Sequence, residues 1–181
     1  MNPRLTHFYA GLEGTWCIRE IRKIKGPSLP DAERLLITDS NGNLDGKWLL
    51  RGVRSNSRYT SAEEKAQLEL RQEGLGRSTS TFAVLIPIKK TEEWWLLSQD
   101  QRREIFEEQS KHTSVGLNYL PAIARRLYHC RDLSTDEPFD FLTWFEFSPD
   151  HERDFDELLV HLRTSREWDF VEREVDIRLQ R

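Results

Sequence analysis

One histidine of the five in this chain lies among apolar residues in a segment with helical spacing. His112 follows Ile105 by two helical turns, so we expect both side chains to face the core. A lone imidazole in that position is most often a core residue with a satisfied hydrogen bond. No second histidine or cysteine stands near it at a metal-binding spacing, which argues against an isolated zinc or iron site. A single imidazole is nevertheless sufficient to hold a haem iron from one side.

Two consecutive arginines lie in the apolar stretch that follows the histidine. A guanidinium group in such surroundings needs an anionic partner, and strand alternation alone does not separate Arg125 from Arg126. Six tryptophans, nine phenylalanines and four tyrosines supply ample lining for a large apolar ligand. Composition and spacing therefore indicate a pocket for a haem or a flavin and leave both alternatives open.

Composition and charge exclude several classes of protein. The 181 residues suffice for one well-packed domain, and the interspersed charges with a formal net charge of −4 provide no basic surface for nucleic acid. No run of eighteen apolar residues is present and the N-terminus lacks an apolar core, so we predict neither a membrane span nor a secretory signal. Cys17 and Cys130 have no CxxC spacing, so we interpret both as structural thiols in a reducing cytoplasm.

The elements that must position these residues are clearest in the second half of the chain. There the patterns predict strand, helix, strand, strand, helix and strand, which is the ferredoxin-like βαββαβ order of an α+β fold. The supporting segments are a strand over 78–90, a helix opened at Ser98 and interrupted by Gly116 and Pro121, strands over 126–131 and 139–147, a helix capped by Asp150, and a strand over 171–179.

The first 76 residues are less regular. We predict strands over 14–24 and 47–59, a segment over 31–46 that contains the turn-rich SNGNLDG, and a helix over 61–73 opened by a Ser61-x-x-Glu64 capping box. The chain is therefore divided into a reduced N-terminal β/α half, residues 1–76, and a C-terminal ferredoxin-like half, residues 77–181, within one compact domain.

Long motifs in the chain strongly resemble the chlorite dismutase family. They are IPIKKTEEWW (86–95), QSKHTSVGLNYLPAIARRLYHCRD (109–132), EPFDFLTWFEF (137–147) and REWDFVEREVDIRL (166–179). The resemblance covers most of the chain from about Arg51 onward. It implies a fold of the dimeric α/β barrel type, haem b as cofactor, and membership of the short class, whose members resemble homodimers.

The resemblance assigns roles to individual residues near the iron. It makes His112 the proximal ligand and Glu167 the carboxylate that accepts the other imidazole N–H. It selects Arg125 as the distal cation, with Arg126 as the competing choice. Gln72 matches the residue that holds an alternative orientation of that arginine.

The resemblance also implies contacts to the rest of the cofactor. Lys90 and Tyr59 match partners of the haem propionates, and Trp94 matches a residue packed beside the haem. Trp95 and Trp144 are expected in the core.

The activity implied by the resemblance is the decomposition of chlorite to chloride and dioxygen. An oxygen atom passes to ferric haem and recombines with a retained hypochlorite or chlorine monoxide species, and other small anions bind as well. Two alternatives stay open. One is another haem enzyme on the same scaffold, either a peroxidase or a coproheme decarboxylase, a branch in which a neutral residue replaces the distal arginine. The other is a non-haem ferredoxin-like dimeric binding module.

Overall fold

The computed structural model describes residues 5–40, 46–54 and 58–181. The described strands form a closed antiparallel barrel in the order β1-β3-β2-β8-β5-β7-β6-β4. They are β1 (Leu5–Gly11), β2 (Trp16–Lys25), β3 (Arg34–Thr38), β4 (Trp48–Val53), β5 (Phe82–Lys90), β6 (Ala124–His129), β7 (Phe141–Phe147) and β8 (Val171–Gln180).

Helical segments pack on the outside of this barrel. They are α1 (Ala62–Arg71), α2 (Glu92–Leu96), α3 (Gln99–Arg103), a π-helical turn (Glu104–Gln109), α4 (His112–Leu117), a 3₁₀ turn (Pro149–His151), α5 (Glu152–Arg163) and a second 3₁₀ turn (Arg166–Phe170). From β5 onward the order is strand, helices, two strands, helix and strand, as the sequence patterns predicted. No helix within the described parts of the chain is long and apolar enough to cross a membrane.

Strand alternation creates two apolar layers. In β5, Ala83 and Leu85 belong to the cluster inside the barrel, whereas Val84 and Ile86 belong to the cluster on its outer face. The α5 helix covers that outer face with one stripe, which begins at Phe155 and includes its leucines. The β5 sequence therefore reads as a nearly continuous apolar run, because both of its faces are buried.

The N-terminal part of the barrel corrects the sequence predictions. No strand was predicted within 31–46, but Arg34–Thr38 forms β3, which pairs with β1 over five residues and with β2 over two. His7, close to the start of the chain, is buried in β1. Both strands gain their order from pairing with distant segments, which local periodicity does not reveal. Residues 41–45 of the turn-rich segment and 55–57 of the predicted strand over 47–59 lie outside the described residues.

Two elements begin at residues other than those predicted, and the two predicted halves of the chain share one barrel. Asp150 does not cap a helix: it lies within the 3₁₀ turn that precedes α5, and Ser148 occupies the N-cap position of that turn. Strand β6 begins at Ala124 rather than at Arg126. Strands from both sides of residue 76 pair in one barrel, since β2 lies beside β8 and β4 beside β6.

Candidate functional site

A cavity of about 490 Å³ lies against the outer face of β5, β6 and β7 and beneath the helical segments. Its volume falls within the range typical of cofactor and small-molecule sites. The wall combines apolar and aromatic side chains with polar and charged ones. Those used below are Gln72 after α1, Lys90 in β5, His112 in α4, Arg125 and His129 in β6, and Glu167 in the second 3₁₀ turn.

His112 is turned into the cavity by the backbone that precedes it. Lys111 has a left-handed conformation, with φ of 52° and ψ of 35°, so the chain bends sharply between the π-helical turn and α4. The Phe106 ring stacks on the imidazole with a centroid separation of 4.3 Å. His112 therefore lies on the cavity wall, with one ring face held, and is only part-buried.

Lys90, Glu167 and His112 form a row of ionisable groups at the cavity wall. The Lys90 ammonium donates to Glu167 Oε1 at 2.6 Å, and His112 Nδ1 lies 2.7 Å from Glu167 Oε2. Burial by itself raises the pKa of the Glu167 carboxyl, but Lys90 and His112 outweigh it through charge and hydrogen bonds and lower that pKa to about 2. Glu167 is therefore ionised, although it is only 5% exposed.

The charge on Glu167 fixes the tautomer of the imidazole. An ionised carboxylate can only accept hydrogen bonds, so the proton between the two groups belongs to His112 Nδ1. In the neutral imidazole, Nε2 then carries the lone pair and can bind a ligand or a metal in the cavity. This arrangement, an imidazole oriented by a carboxylate on its far nitrogen, is typical of histidines that bind metals.

The two arginines lie on opposite faces of β6. Arg125 shares its outward face with Leu127 and His129 and lines the cavity, while Arg126 shares the other face with the buried Tyr128 and reaches the cavity rim. Loss of hydration lowers the pKa of the Arg125 guanidinium. Within the described residues no ion pair or side-chain hydrogen bond joins that guanidinium to a partner. The cavity thus contains a cation whose charge no carboxylate of the described chain balances.

Gln72 approaches Arg125 through the main chain. Its side-chain amide donates to the Arg125 carbonyl oxygen at 2.5 Å, from the position just after the last residue of α1. The sequence predicted a contact with the guanidinium group. The structure brings the two residues together, but the hydrogen bond fixes the strand rather than the side chain.

The aromatic part of the wall contains two donors without partners. Trp94 is buried and stands edge-on to the Tyr59 ring at 5.7 Å, yet its Nε1–H has no hydrogen-bond partner among the described residues. Both ring nitrogens of the buried His129 are likewise without partners there, and burial lowers its pKa to about 4. Polar atoms of this kind on a cavity wall fit a ligand that has polar groups at its edge.

Lys90 has a different partner from the one that the sequence indicated. We predicted that it meets a propionate, but its ammonium donates to Glu167 and lies 4.5 Å from the centre of the Trp94 ring. Tyr59 lies in the cavity wall with a left-handed φ of 60° and accepts a hydrogen bond from Arg102. A role for Tyr59 toward a propionate stays a prediction.

The two tryptophans expected in the core differ from each other. Trp144 is 2% exposed inside the barrel, as expected. Trp95 is half-buried, stacks on Phe141, and donates to Asp140.

Sequence reasoning missed three further residues of the site. Alternation along β6 from Arg125 places His129 on the same wall, but it has too few neighbouring ligands in the sequence to indicate a metal site. Nothing in the sequence pattern indicates Glu107 or Ser110, because hydrogen bonds between a side chain and the main chain leave no periodic signal. Glu107 accepts from the first amides of α4, and Ser110 accepts from the Glu167 amide.

The chemistry of these groups fits a haem better than a bare metal ion. No group of three or more histidine, cysteine, aspartate or glutamate side chains in the described parts of the chain could hold a metal. One oriented imidazole, a large part-apolar cavity and unpartnered donors at its edge match what a haem requires of a protein. The fold and this wall define an eight-stranded α+β barrel protein whose cavity, on the outside of the barrel, contains an imidazole oriented by a carboxylate.

Comparison with known proteins shows the family to which this chain belongs. A model of the chlorite dismutase family matches residues 28–180, and the chain belongs to that family. Over 100 residues it is 33% identical to a chlorite dismutase of Ideonella dechloratans, a match that covers 52% of this chain and 32% of that protein. The matched stretch thus spans about a third of that relative.

Solved structures agree with this assignment. A dimeric chlorite dismutase from Nitrobacter winogradskyi is 50% identical, with a TM-score of 0.92 over 97% of this chain and 99% of that one. A chlorite dismutase from Candidatus Nitrospira defluvii in complex with imidazole has a TM-score of 0.69 and 20% identity, covering 100% of this chain and 93% of that one. The second likeness shows a shared fold alone.

An ion pair attaches helix α1 to the helices beside the cavity. The two terminal nitrogens of Arg103 donate to the two Glu64 oxygens, each at 2.7 Å, and Arg103 also donates to the Tyr59 carbonyl oxygen. The Arg103 hydrogen bonds lower the pKa of Glu64 from 4.5 to about 2. Because α1 ends just before Gln72, this pair fixes the helix from which Gln72 reaches Arg125.

Loss of the Glu64 charge should destabilise the protein in a pH-dependent way. A folded pKa below the unfolded value means that the stabilisation is complete above about pH 4.5 and is lost as the pH falls toward about 2. We expect Glu64→Gln to lower the free energy of unfolding at pH 7 by about 2 kcal/mol, after allowance for partial exposure. Denaturant unfolding at pH 7 and pH 2.5 measures the difference.

The matched control is Glu63→Gln, an exposed residue in the same helical turn. It should change stability little at either pH. An equal loss for Glu64→Gln at pH 7 and at pH 2.5 would show that the ion pair is not its source.

Proposed function

We propose that this protein is a haem b oxidoreductase that decomposes chlorite to chloride and dioxygen. The observation that carries the proposal is the row formed by Lys90, Glu167 and His112, which leaves His112 Nε2 with a lone pair at the cavity wall. Membership of the chlorite dismutase family and the 50% identity to the Nitrobacter winogradskyi protein support the choice of substrate.

The protein would hold the haem through a small set of its own groups. His112 Nε2 is the iron ligand, and Glu167 keeps the imidazole rich in electron density by accepting the Nδ1 proton. Trp94 Nε1 and Tyr59 are the donors that we assign to the cofactor's carboxylate edge. When bound, ferric haem supplies the redox chemistry that cleaves the chlorine–oxygen bond of chlorite.

Arg125 is the residue that we assign to the anions of this reaction. Its guanidinium lies in the cavity on a long stem, without a carboxylate partner in the described chain, and burial strengthens its interaction with a small anion. Chlorite must enter, and the hypochlorite or chlorine monoxide species that it leaves must stay close for one recombination step. Gln72 supports the position of Arg125 through its carbonyl oxygen.

The same observations favour chlorite over the alternatives. A coproheme decarboxylase replaces the distal arginine with a neutral residue, whereas Arg125 lines this cavity. A non-haem binding module has no need for an imidazole with a buried carboxylate and ammonium behind it, an arrangement that is costly to bury. No observation favours peroxidase activity over chlorite decomposition.

We infer a homodimer in the cytoplasm. The Nitrobacter winogradskyi protein, similar over nearly the whole chain, is dimeric. Cys17 and Cys130 are free, the first exposed and the second buried, which fits a reducing compartment. Burial raises the pKa of the Cys130 thiol, which supports a structural role, whereas the exposed Cys17 does not fit the structural role predicted for both.

Reconstitution with haem b tests the proposed function directly. The purified wild-type protein should develop a Soret band and evolve oxygen on an oxygen electrode when chlorite is added. His112→Ala should retain haem much more weakly, because the chain supplies one axial nitrogen. Absorbance during gel filtration measures retention in both proteins.

Two results would contradict this assignment. Full haem occupancy with an unchanged spectrum in His112→Ala would move the ligand elsewhere, with His129 as the next candidate. A haem-loaded wild-type protein that evolves no oxygen from chlorite would exclude the proposed reaction, and coproheme turnover would then be measured.

Replacement of Arg125 should weaken anion retention without abolishing turnover. A charge-assisted hydrogen bond contributes about 1.5–3 kcal/mol, which at about 1.4 kcal/mol per tenfold change equals one to two decades in affinity. Arg125→Ala should therefore still evolve oxygen, but it should bind cyanide or fluoride less tightly. It should also release more hypochlorite and lose its haem colour sooner, and a hypochlorite trap should protect it.

The neighbouring arginine provides the control. Arg126→Ala should behave like the wild type in anion titrations, because Arg126 lies on the other face of β6 beside Tyr128. Leakage from the Arg126 variant alone would reverse the assignment. Leakage from neither variant would show that the cation does not retain the intermediate.

A further inference from the structure

A buried carboxylate in the π-helical turn holds the start of the helix that bears His112. Glu107 is 6% exposed, and its Oε2 accepts from the Thr113 amide at 2.7 Å. Its Oε1 accepts from the Ser114 amide at 3.2 Å and from the Ser114 hydroxyl group. These are amides of the first turn of α4, which have no partner within the helix itself.

Glu107 caps the start of α4, because the residue at the N-cap position does not. Lys111 occupies the N-cap position of α4 without a side-chain cap, in a left-handed conformation that a non-glycine residue keeps when its surroundings enforce it. No cation within the described residues forms an ion pair with Glu107. The amides of α4 and the more distant charge of Arg103 stabilise the carboxylate, and the bonds to the amides hold the bend that turns His112 into the cavity.

The other member of the imidazole–carboxylate pair is attached to the same turn. The Glu167 amide donates to Ser110 Oγ at 2.8 Å, in a buried bond. The Ser110 amide in turn donates to the Ile105 carbonyl oxygen at 3.1 Å, which is the wide spacing that makes the turn π-helical. The positions of His112 and Glu167 thus both depend on hydrogen bonds to the π-helical turn and to Ser110 at its end.

We propose that Glu107 and Ser110 are positioning residues for the His112–Glu167 hydrogen bond. Glu107 fixes the helix start that carries the imidazole, and Ser110 fixes the backbone that carries the carboxylate. The 2.7 Å distance between Nδ1 and Oε2 depends on both attachments. The consequence for iron chemistry rests on the proposed function, whereas the positioning of the pair does not.

The test compares Glu107→Gln and Ser110→Ala with the control Glu108→Gln. Glu108 is the next residue along, and its exposed side chain makes a long ion pair with Arg103. The first measurement uses the full-length protein without haem. Proton NMR should show a downfield His112 Nδ1–H signal, identified by its absence in His112→Ala. That signal should move upfield or broaden in both test variants and stay unchanged in the control.

The second measurement uses the same proteins loaded with haem b. Each test variant should lose haem to an apomyoglobin acceptor about tenfold faster than the control, the scale expected for groups that support a metal ligand. The midpoint potential should become more positive, because a looser bond to Glu167 makes the imidazole a weaker donor. Ser110→Thr retains a hydroxyl group and should restore the wild-type values.

The outcomes separate this proposal from the proposed function. An unchanged Nδ1–H signal in both test variants would overturn the positioning role, whatever the haem measurements show. If the signal shifts in the test variants but the wild-type protein never binds haem, the positioning role stands and the haem enzyme is excluded. If Glu107→Gln does not fold, Ser110→Ala and Ser114→Ala carry the comparison, since each removes one hydroxyl group from the same attachments.

Discussion

The structure depends on one buried carboxylate, that of Glu167. An ionised carboxyl group away from water is costly unless cations and hydrogen-bond donors surround it, and here they come from separate parts of the chain. Lys90 ends β5, His112 begins α4, and Ser110 closes the π-helical turn. The barrel register makes the first contact possible, because Lys90 pairs with Val171 at the start of β8, directly after the turn that bears Glu167.

The same constraint links stability to chemistry. Removal of one member of a buried ion pair leaves the other without compensation, so loss of either Lys90 or Glu167 would destabilise the fold. An ionised Glu167 holds the proton on His112 Nδ1 and leaves Nε2 with a lone pair. On β6, Arg125 has no such compensation from the described residues, and an uncompensated cation in a cavity favours the entry of an anion. The charges of Lys90 and Glu167 therefore compensate each other at one wall of the cavity, whereas the charge of Arg125 at another wall is available to an anionic ligand.

The sequence predicted those parts of the fold that have a local period. Alternation predicted strand β7, and a single apolar stripe predicted α5, because burial of one face produces a periodic pattern. Strand β5 was predicted from its β-branched and aromatic content and its length. Strands β1 and β3 were not recognised, because their order comes from pairing with each other and with β4. The residue patterns did not predict closure of the barrel for the same reason, whereas the family resemblance implied a barrel.

In the candidate site, too, residues with a local sequence signal were predicted, and contacts between distant segments were not. His112 was found from its place in a helical pattern, and the family resemblance added Glu167 and selected Arg125, which alternation could then assign to the cavity face of β6. The partner of Lys90 was not predicted, since a register between β5 and β8 decides it. Glu107 was missed because its partners are main-chain amides, which any residue at those positions would present.

The central claim is that Glu167 accepts the proton of the imidazole that binds iron and thereby sets its donor strength. Spectroelectrochemistry of the haem-loaded wild-type protein and of Glu167→Gln tests it most directly. A neutral amide in place of the carboxylate should leave haem bound and shift the midpoint potential to a more positive value, because ferric iron loses electron density from His112. Equal midpoint potentials in the two haem-loaded proteins would contradict the account and remove Glu167 from the iron's surroundings.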